Sequence, residues 1–437
     1  MGVADDPRLL MSMVLLKRYY PFLLTLILLG CATSTPTSRK NNFVSIYGKG
    51  GSLLQLQARV HNTAPDHSII YYKLNTKDLL YKSDGSGGPF KAAVRITYES
   101  FTDWTARTLL DSSSTLIQDR SVDTNEDMEL VGSMEMRRNE NRSFVVKVTA
   151  RDLNRDSENS VFLRVERDPS GTRQYFLPVD PATNIPYFTD HLSTGKVMEL
   201  RNTAFAGGTL HGTHHSSEVS LPAPVFTTTN DPRSETKADS SFSVTFDENG
   251  RALLTLNEPG VYHLRNDTSS TAGYSIFVLS EAYPYISDGT DMLKPLRYIT
   301  SMQEFDRISK ADDVRKAIEK FWLDAAGDRE RAREAIRIFY SRVENANRHF
   351  TSRTEGWRTD RGLVHIIFGT PTSIYKTDLN ETWIYGEENN LMSLTFNFTK
   401  RNNTFTDNDL VLQRDPMLKG AWYRNVESWR NGRVYQN

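Results

Sequence analysis

Residues 356–371 read GWRTDRGLVHIIFGTP, and the last third of the chain is organised around them. Gly356 and Gly362 bracket a short polar loop whose backbone can follow a tight path. Trp357 offers a large ring to bury and tie the loop down, and Thr359 and Asp360 are turn and capping residues. Leu363–Phe368 is a short apolar run that ends in Gly369-Thr370-Pro371, and the pattern predicts a buried strand. Asp360 and Arg361 either satisfy each other and the backbone, or face a partner as a docking loop. A composite hydrolytic site near this pair is a third reading.

Upstream of this stretch the hydrophobic period is helical. Val314, Ile318, Phe321, Trp322 and Ala325 share one face, and Ala332, Ile336, Phe339, Val343 and Ala346 share another. Gly327 sits between them where a C-cap is expected, so the two form an antiparallel hairpin. Ser301 and Glu304 have capping-box spacing, and Ser309 and Asp312 a looser form of it. Downstream, Thr382–Tyr385 and Leu391–Phe398 read as strands, and Pro416–Trp429 as a closing helix carrying Leu418, Trp422, Val426 and Trp429 on one side. Residues 290–437 are thus expected to be an α+β domain.

The preceding chain has a period near two. Between residues 43 and 167 about seven short strand candidates alternate with turn clusters, as in an immunoglobulin-like sandwich. Val94, Ile96 and Tyr98 alternating with Arg95 and Thr97 give the clearest of them. Arg167–Tyr187 is Pro-bearing and reads as a linker or crossover. A second sandwich is expected within residues 168–287, clearest at Ser241–Phe246, Gly250–Leu256, Val261–Leu264 and Tyr274–Val278. The fold class is therefore multidomain and mostly β, with two sandwiches before the α+β domain.

Gly356-Trp357, Thr359-Asp360 and Arg361-Gly362, with the later Trp383-Ile384-Tyr385, resemble the signature of GWxTD-domain proteins, found mainly in Bacteroidetes and related bacteria. Leu363 departs from the Arg or Lys usual at its position. The resemblance implies a lipoprotein with β domains ahead of this module, and it implies no established activity.

The N-terminus fits that expectation. Lys17 and Arg18 precede an apolar run, Pro21–Leu29, which at nine residues is too short to span a bilayer and suits a secretory signal. Leu28-Leu29-Gly30-Cys31 resembles a bacterial lipobox, which implies lipidation of Cys31 after removal of residues 1–30. Residues 31–42, polar and Thr/Ser-rich, read as a tether. Ala32 is not the aspartate associated with inner-membrane retention, and the tether has no early acidic cluster of the kind linked to surface export. The outer membrane, periplasmic face, is the expected location. Translation is expected to begin at Met11 or Met13, since Asp5 and Asp6 are unlike a signal start.

Composition removes other classes. Among 437 residues, 53 basic and 54 acidic side chains leave a net charge of −1, so nothing points to nucleic acid. A single cysteine excludes a disulfide framework and thiolate zinc sites. His211, His214 and His215 suggest a metal half-site, but a solvated Gly/Thr-rich loop is the simpler expectation. Asp312-Asp313 and Glu387-Glu388 read as surface charge, and Gly48–Ser52 (GKGGS) as a flexible lead-in. No nucleophile elbow, phosphate loop or dinucleotide fingerprint is present. No cofactor, metal or catalytic residue is expected. Trp422, Arg424, Trp429 and Arg430 have the residue types of interface hot spots, against the alternative of a helix packed on its own domain. The leading expectation is a non-enzymatic scaffold or adaptor, partnered by other envelope proteins and the membrane, with outer-membrane protein assembly or secretion as its process. A surface module binding glycan or protein is the alternative of another class.

Overall fold

The computed structural model describes residues 41–47, 54–83, 85, 87–122, 127–138, 142–167, 172–216, 220–228 and 237–433. The signal segment, Cys31, most of the tether and the Gly48–Ser52 lead-in lie outside the described residues.

All seven strands expected in the first region form: β1 (Gln57–Ala64), β2 (His67–Asn75), β3 (Phe90–Phe101), β4 (Leu109–Ser121), β5 (Glu129–Arg137), β6 (Phe144–Asp152) and β7 (Ser157–Val165). They make two antiparallel sheets, β1-β2-β5 and β4-β3-β6-β7. Alternation explains the layering: Val94, Ile96 and Tyr98 on β3 point inward and meet Ile70, Tyr72 and Leu74 from the facing sheet.

The second region is also a two-sheet structure. Its strands are β8 (Leu177–Val179), β9 (His191–Ser193), β10 (Val197–Arg201), β11 (Thr209–His215), β12 (Ser240–Thr245), β13 (Arg251–Thr255), β14 (Gly260–Arg265) and β15 (Tyr274–Leu279). They are ordered β13-β10-β8 and β12-β11-β14-β15-β9, with β9 parallel to β15. Two sequence expectations change here. The Pro-bearing linker supplies β8 and buries Phe176, Leu177 and Val179, because an edge strand tolerates the missing N–H of Pro178. The histidine-rich loop is strand β11, which sends the buried His214 and His215 to opposite faces.

The C-terminal region contains α1 (Gly289–Leu293), α2 (Met302–Ser309), α3 (Val314–Ala326), α4 (Arg329–Phe350) and α5 (Asp360–Phe368). The antiparallel meander β16 (Ser373–Lys376), β17 (Asn380–Tyr385), β18 (Leu394–Lys400) and β19 (Leu410–Leu412) follows, then α6 (Lys419–Arg430). The capping box at Ser301 forms in both directions, and Gly327 closes α3 at φ 65°. Asp313, not Ser309, caps α3, by accepting from the Lys316 amide.

The largest correction is α5. Leu363–Phe368 is the body of a helix, not a strand, and all nine residues of that helix are buried. A helix covered on every side needs no exposed polar face, so its apolar run Leu363–Phe368 is as compatible with a buried strand as with a buried helix.

The expected boundary at Phe43 also shifts. Asn42–Tyr47 joins the C-terminal domain: the Phe43 amide donates to the Ile374 carbonyl at 2.8 Å, and Phe43 and Tyr47 are buried in that domain's core. Val225, from the segment between β11 and β12, is buried in the same core. Among the described residues no helix is long and apolar enough to cross a membrane.

Candidate functional site

The 356–362 loop is held against α4 at van der Waals limits. A Cβ on Gly356 would lie 2.0 Å from the Ala346 carbonyl oxygen, and one on Gly362 would lie 2.1 Å from the Gly356 carbonyl oxygen. Both glycines are required by close approach of backbone to backbone. Gly356–Arg358 forms one 3-10 turn, and Thr359 caps α5 by accepting from the Gly362 amide at 3.0 Å. The Thr359 hydroxyl also donates to the Gly356 carbonyl at 2.8 Å, which closes the loop on itself.

Each remaining motif side chain faces inward. Trp357 is 5% exposed; its amide donates to Asn347 Oδ1 at 3.1 Å, and its carbonyl accepts from the Tyr298 hydroxyl at 2.9 Å. Asp360 accepts from the Leu412 amide at 2.9 Å and pairs with Arg414 at 2.6 Å. Arg414 in turn donates to the Ala223 carbonyl at 3.1 Å, joining the α+β domain to the second sandwich's excursion.

Arg361, 1% exposed, enters a buried polar cluster. It lies 3.4 Å from Glu381 Oε2 and 3.4 Å from the Tyr47 hydroxyl, donates to the backbone and side chain of Asn408, and stacks over Phe350. Glu381 also takes Trp383 Nε1 at 2.7 Å, the Tyr47 hydroxyl at 3.2 Å and Lys376 Nζ at 3.3 Å. Burial alone would raise the Glu381 pKa, but Lys376 and Arg361 hold it below its usual range. Burial opposes the charge on Lys376, and Glu381 with Tyr47 nevertheless raises its pKa. Burial lowers His365 to about 3 and His349 to about 4, so both are neutral at physiological pH. Every charge named here has an opposite partner, and neither Asp360 nor Arg361 borders the cleft described below. The arrangement locks β17, α5 and the Asn42–Tyr47 segment together.

The second candidate set lies on α6 and divides. Trp429 is 1% exposed, packed edge-on to Trp322 and Phe339, and its indole donates to the Ile367 carbonyl at 3.2 Å. Trp422 is buried as well, while Tyr423 and Arg424 are exposed. Arg430 grips Glu304 with two hydrogen bonds, at 2.9 and 2.7 Å. Beside them opens a cleft of about 1090 Å³. One wall is α6 and the other is the 221–226 segment with the turn around Tyr298. Phe226 packs against Tyr423 at 5.6 Å and Trp422 at 6.4 Å, giving the cleft an aromatic floor. Arg297, Arg424, Arg430 and Arg433 line it against one acid, Glu427.

With this geometry in place, the comparison with known families is specific. The family model for the GWxTD domain matches residues 260–431. This is a GWxTD-domain-containing protein. The matched span starts at Gly260, so the GWxTD model takes in β14 and β15 of the second sandwich as well as the α+β domain. No curated protein matches the chain. One solved structure with local similarity is a calcium binding mutant of Bacteroides uniformis beta-glucuronidase 2, at 15% identity and a TM-score of 0.17. The match covers 25% of this chain and 13% of that one, which is too slight to inform fold or activity.

The sequence pointed to the GWxTD loop and to α6, but not to Tyr47, Lys376, Glu381, Asn347 or Arg414. Glu381 stands two residues before Trp383 on β17, which puts both on one strand face, and that spacing was its one local signal. Among the described residues no group of three or more His, Asp or Glu side chains is placed to hold a metal.

Proposed function

We propose that this protein is a non-enzymatic adaptor of a Gram-negative envelope, with its GWxTD domain docking an acidic segment of a partner protein in the α6 cleft. The observation carrying this reading is the chemistry of the cleft: an aromatic floor with a surplus of guanidinium groups on its rim. Arg430 is neutralised by Glu304, which leaves Arg297, Arg424 and Arg433 facing Glu427. Apolar side chains of a bound segment would cover Phe226 and Trp422, while its carboxylates meet the rim, the arrangement that gives specificity and fast association. Acylation of Cys31 would hold the adaptor on the periplasmic face of the outer membrane, and assembly or secretion of outer-membrane proteins is the process proposed for it. A hydrolytic role would need Asp360 or Arg361 open to substrate, and each is 1% exposed.

A photocrosslinking residue in place of Tyr423, in living cells, tests the docking. The expected product joins the protein to one envelope partner through an acidic segment. Arg424→Glu with Arg433→Glu abolishes it at unchanged protein abundance. A crosslink that survives both reversals, or none at all, overturns the docking. Cys31→Ala tests the anchor separately, since the variant should leave the membrane fraction; continued membrane association refutes lipid anchorage.

A further inference from the structure

The walls of the α6 cleft restrict the conformation of what can fill it. A bound segment that buries its backbone must find a partner for each N–H and C=O it takes out of water. An extended segment finds them on an open strand edge, and a helix finds them within itself. Residues 221–226 offer no such edge. Pro222 and Pro224 line the cleft and carry no N–H. The Ala223 carbonyl is taken by Arg414 at 3.1 Å, that of Pro224 by the Thr227 amide at 3.2 Å, and that of Val225 by the Asp415 amide at 3.1 Å. In the turn after Arg297, the Ile299 and Thr300 amides both go to the Leu296 carbonyl, and the Ser301 amide to Glu304 at 2.8 Å. The carbonyls of Ile299, Thr300 and Ser301 accept from Arg430, Arg297 and the Phe305 amide, each at 3.0 Å. On α6 the backbone is spent along the helix, and the carbonyls of Glu427, Ser428 and Trp429 accept from the amides of Asn431, Arg433 and Gly432. Among the described residues of these walls, no run of vacant backbone groups remains to pair with a strand.

The side chains narrow the choice further. The Thr300 and Ser428 hydroxyls donate to the Leu296 and Arg424 carbonyls, so they turn back on their own elements. A polyproline segment still presents carbonyls that need donors, and the Tyr298 hydroxyl is already given to the Trp357 carbonyl at 2.9 Å. Phe226, Leu363, Trp422 and Val426 supply an apolar surface. Guanidiniums stand on both sides of it, Arg297 from the turn, Arg424 from α6 and Arg433 just past its end. The 12 residues of α6 run for about 18 Å, and a helix of that length and about 10 Å across fills about 1400 Å³. The cleft, at about 1090 Å³, takes most of such a helix and leaves its outer face in water.

We infer that the occupant is an amphipathic α-helix of a partner protein, about three turns of it in contact, with an apolar stripe at i, i+3, i+4 and i+7 and Asp or Glu along both flanks. The helix brings its backbone bonds with it and asks none of the cleft. Its stripe covers Phe226 and Trp422, and its flanking carboxylates meet the guanidiniums on either side, for which planar forks are well suited. The inference rests on the docking reading above and adds to it the fold of the docked segment.

Peptide-phage selection tests it, with random peptides of about 16 residues panned on the full chain in detergent and counter-selected on the variant carrying both Arg424→Glu and Arg433→Glu. Both arginines are exposed, so the variant should keep the far-UV circular dichroism of the parent. The enriched peptides are expected to carry the helical stripe with acids on its flanks. A synthetic copy should gain helical circular dichroism on binding, and a proline at its centre should weaken binding at least about tenfold. Enriched peptides that need the two arginines yet alternate with period two, or that keep their affinity with the central proline, overturn the helix and leave the docking reading standing. Absence of any enrichment that depends on the arginines overturns the docking reading and the helix with it.

Discussion

Replacing Arg361 by Ala tests whether the GWxTD loop is a structural lock. The guanidinium is 1% exposed and makes its bonds to Asn408, Glu381 and Tyr47 inside the core. Its loss leaves the Asn408 carbonyl without its donor, which costs about 1–3 kcal/mol for a buried acceptor. It also breaks a buried ion pair, a change worth about 3–5 kcal/mol when nothing else supports the remaining charge. Lys376, 3.3 Å from Glu381, still supports it, so the ionic part is reduced and a total of about 4 kcal/mol is expected. The assay is urea unfolding followed by tryptophan fluorescence. Five tryptophans are buried in the C-terminal core and the sixth, Trp104, packs on it, so the signal reports that domain. Glu381→Gln should cost more than Arg361→Ala because it strands two cations, and Lys376→Met should cost least because that side chain is 16% exposed. A cost for Arg361→Ala below about 1 kcal/mol, or the reverse order among the three, would refute the reasoning.

Other outcomes follow from the same geometry. Gly356→Ala places a methyl 2.0 Å from a backbone carbonyl, so the domain should lose more than about 3 kcal/mol or fail to fold, read as loss of soluble chain and of the fluorescence transition. The hydrogen bonds from Arg430 lower Glu304 to about 2 from an ordinary value near 4.5. That stabilisation is complete above about pH 4.5 and is lost as pH falls towards 2. Since the two side chains are 23% and 34% exposed, solvent screening limits it to about 1 kcal/mol, and Glu304→Gln should flatten the acid limb of stability against pH by that amount. Phe43→Ala should destabilise the C-terminal domain by about 3 kcal/mol, although the residue is far from it in sequence; an unchanged fluorescence transition would contradict the packing described for Phe43.

The sequence exposes its fold wherever one face of an element meets water. β3 alternates because Val94, Ile96 and Tyr98 face the core while Arg95 and Thr97 do not, and α3 and α4 carry stripes and caps for the same reason. Where both faces are covered the pattern disappears. α5 read as a strand because no residue in it reaches solvent; the Thr359 cap and Gly369 after its end were the remaining signals of a helix. β11 read as a loop because His214 and His215 are polar residues made core residues by Tyr262 and Phe405. The candidate site was half legible. Its loop stands in one short stretch, but Arg361 meets Glu381 at a separation of 20 residues and Tyr47 at 314, and no local pattern encodes such pairings. Asp360 and Arg361 are both buried, beside Arg414 and Glu381, since charged residues are seldom placed in a core without a matched partner.

The docking of Asn42–Tyr47 has a mechanical meaning. The described chain enters the GWxTD domain at Asn42, leaves it to build both sandwiches, and returns to finish at α6 in the same domain. Tension applied between Asn42 and α6 would therefore be borne by one domain, across the Phe43–Ile374 backbone bond and the Tyr47–Glu381 contact, while both sandwiches lie outside the load path. The same closure delays completion of that domain during synthesis. Its first strap is made more than 300 residues before β16 and β17, the strands it fastens, so Phe43 and Tyr47 must wait for almost the whole chain.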